Sequence, residues 1–271
     1  MIIGDYHTHT TYCDGANSAE EMLKAAIEKG FKYYGFSSHA HLKYDESWTM
    51  SHESQEEYIK EVLSLKEKYK DQITVLLGCE YDLLSDNDLS KFEYVIGSCH
   101  SIIKDGKYLS VDHSEQTFNN CVQNSYGGDY YAFVKDYYEL LATAADRDDF
   151  AFIGHFDLIS KFNKDYKYFD EDDNRYEMPM YKALDRLAKA GKVFELNTKL
   201  TLYDKRTETL PSTRKWLDAL SELGGNVIVN SDAHATVRIG HSFDKAIKLL
   251  SEYGFHSSLI LTPNGYEEIN L

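Results

Sequence analysis

Ile2-Ile3-Gly4-Asp5-Tyr6-His7-Thr8-His9 begins as a strand and ends as a site. A short apolar run free of proline reads as a buried strand, and in extended chain His7 and His9, two residues apart, point to the same side. Working outward, the same kind of run, rich in Val, Ile, Tyr and Phe, recurs at 33–37, 73–79, 94–98, 150–153, 193–196, 227–229 and 259–261. Helical patterns lie between most of these runs. Ser18-Ala19-Glu20-Glu21 is a capping box opening a helix whose inner face is Met22, Leu23, Ala26 and Ile27, with Gly30 as its stop. Further helices are expected over 55–69, 130–145, 180–190, 212–223 and 243–253. Apolar strands alternating with helices specify an α/β protein with a mainly parallel, covered sheet. The chain carries neither G-x-G-x-x-G after a strand nor G-x-x-x-x-G-K-[ST], so a closed barrel is preferred to an open nucleotide-binding sheet. At 271 residues, the chain is expected to form one domain over 1–271. Two stretches fall outside the pattern. Residues 105–129 read as a functional loop or inserted helical segment, and the acidic run Asp170-Glu171-Asp172-Asp173 as a solvated loop.

Composition narrows the function. The chain is 42% hydrophobic and 27% charged with 3 prolines, which suits a globular fold with a large core. Against 45 Asp and Glu stand 29 Lys and Arg, a net charge of −16 that repels polyanions, so neither nucleic acid nor an anionic membrane is an expected partner. The 22 tyrosines and 13 phenylalanines lack the basic interleaving of a nucleic-acid platform and are expected in the core. No apolar run approaches a membrane span, and the first residues meet a charge at Asp5, so a cytoplasmic location is expected. Cys13, Cys79, Cys99 and Cys121 form no C-x-x-C pair, consistent with reduced, mostly buried thiols.

The decisive pattern is positional. In parallel barrels the chemistry sits at the C-terminal ends of the strands. Here those ends read His7-Thr8-His9 with Asp14 in the same loop, Ser37-Ser38-His39, Gly78-Cys79-Glu80, Ser98-Cys99-His100, Gly154-His155-Phe156-Asp157 and Ser231-Asp232-Ala233-His234. A single H-x-H carries little information, whereas six strand ends delivering nine nitrogen and oxygen donors do not arise by accident. Imidazoles and carboxylates without thiolates suit Zn, Mn or Fe, and one ion takes only three or four such donors, so two or three divalent ions are expected.

This series, from His7-Thr8-His9 and Asp14-Gly15 through His39, Glu80, His100 and Gly154-His155 to Ser231-Asp232-Ala233-His234, resembles the polymerase-and-histidinol-phosphatase (PHP) family over residues 3 to 265 or so, and within it the histidinol-phosphate phosphatases. The resemblance implies a distorted (β/α)7 barrel holding three metal ions. It implies His7, His9, Glu80 and Asp232 on the first, Glu80 as a bridge with His100 and His155 on the second, and Asp14, His39 and His234 on the third. Glu80, Asp232 and His234 would then be the residues closest to the chemistry. The implied activity is a phosphomonoesterase, most specifically L-histidinol phosphate hydrolysis in histidine biosynthesis, with a hydroxide shared by two ions as the in-line nucleophile.

The chain departs from those relatives where they place two arginines: it has Lys161 after the strand-five motif and Lys199 after Glu195-Leu196-Asn197-Thr198. Lysine supplies charge without a bidentate fork. Lys161, Lys199 and Arg238 are the candidate phosphate contacts, and Asp112 the candidate partner of a substrate amine. Asp157 is a candidate hydrogen-bond partner for a ligand histidine. His41, His52, His113, His241 and His256 match no ligand position; His113 and His241 are the candidate proton donors. Two rival functions are a phosphoesterase of the same family acting on another small phosphate, and a non-catalytic metal-binding protein on this fold.

Overall fold

The computed structural model describes residues 2–199 and 211–271. Seven parallel strands form the staves of the barrel: β1 (Gly4–Asp5), β2 (Tyr33–Phe36), β3 (Thr74–Asp82), β4 (Tyr94–Ser98), β7 (Phe152–Ile153), β8 (Val193–Asn197) and β9 (Asn226–Asn230). Each pairs with the next in that order, and β9 continues to β10 (Ser257–Thr262), which turns back antiparallel into β11 (Gly265–Asn270). The sheet curls until its first and seventh strands meet just past their ends. There Thr8 and Ala233 form a parallel bridge, with the His9 N–H donating to Ala233 O at 2.9 Å and the Ala233 N–H to His7 O at 3.0 Å. The barrel is distorted because β1 and β7 are only two residues long and because β10 pairs with β9 at a single register point, Leu259 with Ile228. The run at 259–261 is therefore a strand beside the ring and not an eighth stave.

Helices α1 (Ala19–Glu28), α2 (His52–Lys68), α4 (Tyr130–Leu141), α5 (Asn174–Lys189), α6 (Pro211–Glu222) and α7 (Phe243–Glu252) cover the outside, and α3 (Glu115–Tyr126) packs on a two-stranded hairpin of β5 (Ser101–Lys104) and β6 (Lys107–Ser110). The capping box is present in full: Ser18 Oγ accepts from Glu21 N–H, and Glu21 Oε2 accepts from Ser18 N–H at 2.9 Å. Residues 105–129 hold the inserted helical segment, α3, as one of the two expected readings had it. Asp105 and Gly106 both have positive φ, the geometry of a two-residue hairpin turn, and Ser114 caps α3. Helix α5 starts six residues ahead of the expected position. Asp173 caps it, and Pro179 is carried inside because Tyr176, Met180, Ala183, Leu184 and Leu187 all bury on one face. The acidic run is not simply solvated: Glu171 is buried and accepts from Asn163 Nδ2 at 2.8 Å, Asp172 pairs with Lys215, and Asp173 is the cap. Among the described residues no helix is long and apolar enough to cross a membrane.

The barrel interior is apolar and closed at its lower half. Tyr6, Leu76, Tyr94, Ile96, Phe152, Val193 and Ile228 pack there with Leu259, Ile260 and Leu261 of the β10–β11 hairpin. Tyr94 is the central plug, its hydroxyl 2.6 Å from Tyr6 O and 3.0 Å from Phe36 O. Its ring occupies the space beside two strand glycines: a Cβ on Gly35 or on Gly78 would come within 2.3 Å of it. This apolar layer leaves no room for water below the mouth. Gly78→Ala should therefore destabilise the protein by about 1–3 kcal/mol through overpacking. Thermal unfolding should show a loss of several degrees in Tm, and an unchanged Tm would contradict the plugged-barrel account.

Candidate metal centre

At the C-terminal mouth the strand ends bring together all nine residues expected there. Four groups of donors, His9/Asp14/His39/His234, His7/Glu80/His155, His7/His9/Asp232 and His39/Glu80/His100, each hold their ligand atoms within 4.8 Å of one another. Glu80, at the end of β3, lies between them. Its Oε2 is 3.0 Å from His7 Nε2 and 3.5 Å from His9 Nε2, while Oε1 is 2.8 Å from His155 Nε2 and 3.3 Å from His100 Nε2. Asp232 Oδ1 completes the first set at 3.3 Å from His9 Nε2 and 3.7 Å from His7 Nε2. Donors bound to one ion at 2.0–2.1 Å in a tetrahedron stand roughly 3.3 Å apart, so these spacings suit a zinc-sized ion. His39 is shared: its Nδ1 is 2.9 Å from Glu80 Oε2 and its Nε2 3.6 Å from Asp14 Oδ1. His234 Nε2 lies 3.2 Å from Asp14 Oδ2.

The fit to cations rests on unmet bonding. His7 Nε2, His9 Nε2 and Glu80 Oε2 are buried, converge on one point and find no hydrogen-bond partner among the described residues. Buried polar atoms are ordinarily paired, and a divalent ion at their meeting point would satisfy all three at once. Asp232 reaches this point from a left-handed backbone, φ 49°, uncommon for any residue but glycine. The strain is held by its neighbour: Ser231 N–H and Oγ–H donate to Asp5 at 3.0 and 2.5 Å. Asp14 is brought in by the loop at Gly15, where a Cβ would come within 2.5 Å of Thr10 N.

A second layer of buried carboxylates orients the imidazoles. Glu195, at the middle of β8, takes the His7 Nδ1–H at 2.7 Å, which leaves His7 Nε2 as the free lone pair, and also accepts from the His155 N–H at 2.8 Å. Asn197 Nδ2 donates to Glu195 Oε2 at 3.0 Å and to Asp232 Oδ2 at 3.1 Å, and Asn230 Nδ2 to Glu195 Oε1 at 3.0 Å. Asp82 accepts from the His100 N–H at 2.7 Å. Burial pushes the Glu80 and Asp232 carboxyls up, but His7, His39 and His100 around Glu80, and Lys199 and His7 around Asp232, outweigh it and hold both well below the usual carboxylate range. Burial also penalises the charged form of His7, but Glu195, Glu80 and Asp232 outweigh that and raise it. Burial, with His234 and His39 close by, lowers His9.

A cavity of about 170 Å³ opens above the donors, lined in addition by Trp48, Ser110, Asp112, His113, Leu158, Lys161 and Lys199. Lys199 Nζ is 3.1 Å from Asp232 Oδ1, and Lys161 Nζ is 3.0 Å from Asp112 Oδ2, so three of the four residues proposed to meet substrate face the cavity. Arg238 does not. After His234 the chain is drawn outward by Thr236 N–H donating to Asn17 Oδ1, and Arg238 is exposed in the turn Thr236–Arg238 beyond the cavity wall. Asp157 accepts the Thr213 hydroxyl; the carboxylate that accepts from a ligand imidazole is Glu195, bonded to His7 Nδ1. Of the remaining histidines His113 is on the rim, His41 lies tilted against His52 with ring centroids 4.1 Å apart, His241 bonds Ser242, and His256 is exposed. Sequence reading overlooked Glu195, Asn197, Asp82 and Trp48. The first two stand in the strand-end segment Glu195-Leu196-Asn197-Thr198, which offered a signal; Trp48, edge-on to His39 at 4.6 Å and His100 at 5.3 Å, comes from a loop that offered none.

A parallel barrel that gathers these donors at its C-terminal mouth is a barrel built around a candidate metal centre. The chain matches the PHP domain over residues 5–199, and it belongs to that family. It is 28% identical over 266 residues to a Deinococcus radiodurans protein named "Probable histidinol-phosphatase", covering 92% of this chain and 93% of that one. A Listeria monocytogenes structure described as a candidate histidinol phosphatase superposes with a TM-score of 0.77 at 22% identity, over 89% of this chain and 99% of that one. A Lactococcus lactis histidinol phosphate phosphatase, crystallised with zinc, L-histidinol and phosphate, superposes with a TM-score of 0.67 at 20% identity, over 97% and 98%.

The Glu195 network yields a direct test. Glu195→Gln should weaken divalent-metal retention by about 10–100-fold, measured by metal content after graded chelation, because the donated His7 proton loses its carboxylate. Retention equal to that of the unaltered protein would show that the network is only structural.

Proposed function

We propose that the protein is a metal-dependent phosphomonoesterase and that its substrate is L-histidinol phosphate, released as L-histidinol and phosphate. The observation that carries this reading is Glu80, which offers one oxygen to the His7/His9/Asp232 group and the other to His100/His155 beneath a cavity flanked by two lysines. When bound, divalent ions of the Zn, Mn or Fe kind would supply positive charge for the phosphoryl oxygens and acidify water to a nucleophile near neutral pH. His7, His9, Glu80 and Asp232 would hold one ion, Glu80, His100 and His155 a second, and Asp14, His39 and His234 a third. Lys199 and Lys161 line the cavity and would receive a phosphate dianion. His113, which lines the cavity, would give a proton to the leaving alcohol. A cavity of about 170 Å³ lies below the roughly 300 Å³ at which drug-sized pockets begin, which favours a small ester over a nucleic acid or peptide.

The choice of L-histidinol phosphate is supported by the name of the Deinococcus relative and by the ligands of the Lactococcus structure. One observation favours a second reading, another small phosphate ester: lysines 161 and 199 stand where the resembling phosphatases carry arginine, which changes how the phosphate is gripped. Phosphate release from L-histidinol phosphate, sugar phosphates, nucleoside monophosphates and p-nitrophenyl phosphate by metal-replete protein decides between them. A kcat/KM for histidinol phosphate higher by orders of magnitude supports the proposal, and faster turnover of another ester replaces it. Glu80→Ala should abolish turnover in a folded chain, since it removes a donor from two groups at once; retained activity would refute the shared-carboxylate arrangement. Lys199→Met should raise KM for a phosphate ester much more than it lowers metal content, and unchanged kinetics would remove Lys199 from the phosphate site.

A further inference from the structure

Asp112 was expected to meet a cationic amine on the substrate, and its surroundings point elsewhere. Lys161 Nζ donates to Asp112 Oδ2 at 3.0 Å and to Asp112 O at 2.9 Å, so one residue grips the ammonium with both its side chain and its backbone. Both ends of this pair are tied to residues of the metal centre. On one side the Val111 N–H donates to His100 O at 2.8 Å, with the Val111 side chain fully buried, which fixes the peptide that carries Asp112. On the other the Leu158 N–H donates to His155 O and the Lys161 N–H to Leu158 O, each at 3.0 Å. The pair thus spans the His100/His155 side of the centre, and both members line the cavity. Burial pushes the Asp112 carboxyl up, but Lys161 with His100 and His155 more than offsets it and keeps it anionic.

We infer that Asp112 is a positioning residue that holds Lys161 at the phosphate end of the cavity, and that it is not the anchor for a substrate amine. A lysine is a flexible point charge and lacks the pre-organised fork of an arginine, so a lysine in a phosphate-binding role needs an external fixture. Asp112 is that fixture. Its charge is already compensated by Lys161, and a substrate ammonium at the same carboxylate would sit against a like charge. This inference rests on the phosphomonoesterase reading.

The test compares Asp112→Asn, Lys161→Met and the double variant on two esters, L-histidinol phosphate, which bears an amine, and p-nitrophenyl phosphate, which does not. With zinc- or manganese-loaded protein, Asp112→Asn should lower kcat/KM on the order of tenfold for both esters alike, mainly through KM, and the double variant should be no worse than Lys161→Met alone. Metal content should not change. A loss confined to the amine-bearing ester, or single losses that multiply in the double variant, would overturn the inference. Calorimetric binding of inorganic phosphate to the same proteins needs no turnover and should weaken by a similar factor in Asp112→Asn; undiminished binding is a second contrary result. If the unaltered protein hydrolyses neither ester while phosphate binding still weakens in Asp112→Asn, the phosphatase reading fails and the positioning role stands. Should Asp112→Asn not fold, Lys161→Met decides alone: equal losses on both esters support the inference, and a change selective for the amine-bearing ester overturns it.

Discussion

The mouth of this barrel depends on one backbone seam. The bridge between Thr8 and Ala233, with its bonds from His9 N–H to Ala233 O and from Ala233 N–H to His7 O, joins the first and last staves just where each turns into its donor residues. Without it His7 and His9 would belong to one end of a curled sheet and Asp232 and His234 to the other. Asp5 reinforces the seam from below by taking the Ser231 N–H, the Ser231 hydroxyl and the Gly240 N–H. These bonds hold Ser231 so firmly that Asp232 is left with a left-handed backbone, which turns its carboxylate towards the two histidines. The centre is therefore assembled by main-chain pairing across the closure point, and side-chain chemistry follows from it.

Six imidazoles and three carboxylates crowded into one mouth would be an unfavourable cluster if their bonding ended with one another. Two layers resolve this. The outer carboxylates, Glu195 and Asp82, fix imidazole orientation and compensate charge from behind, with Asn197 and Asn230 satisfying the remaining Glu195 oxygens. The inner lone pairs stay directed at common points, where cations would complete the bonding. The same logic shows how a chain with a net charge of −16 could serve an anionic substrate: bound ions would be the largest local charges and would reverse the sign of the field within the cavity.

Much of this was written in the sequence. The rhythm of apolar runs and capped helices gave the barrel, and His, Asp and Glu at successive strand ends gave the centre, because a parallel barrel sends all its strand ends to one rim. The losses have physical causes. The first turns of α5 fell outside the helix expected over 180–190, because the Asp173 cap and the burial of Tyr176 that extend it to Asn174 depend on tertiary packing. Arg238 follows the Ser231–His234 motif closely in sequence, yet a single bond from Thr236 to Asn17 turns the chain outward and carries it away. The pairing of Asp112 with Lys161 was not legible either, because 49 residues separate the two in sequence. Glu195 stood in view within a strand-end segment, but which face of β8 it used could be known only once the strand lay beside β9.

Glu80 is the one carboxylate that would be shared between adjacent cations. Anomalous diffraction from crystals grown with manganese or zinc tests this sharing most directly. The prediction is one ion within about 2.0–2.2 Å of His7, His9 and Glu80 Oε2 and another equally close to Glu80 Oε1, His100 and His155, the two separated by roughly 3.5–4 Å. A single ion, or ions bound without Glu80, would contradict it.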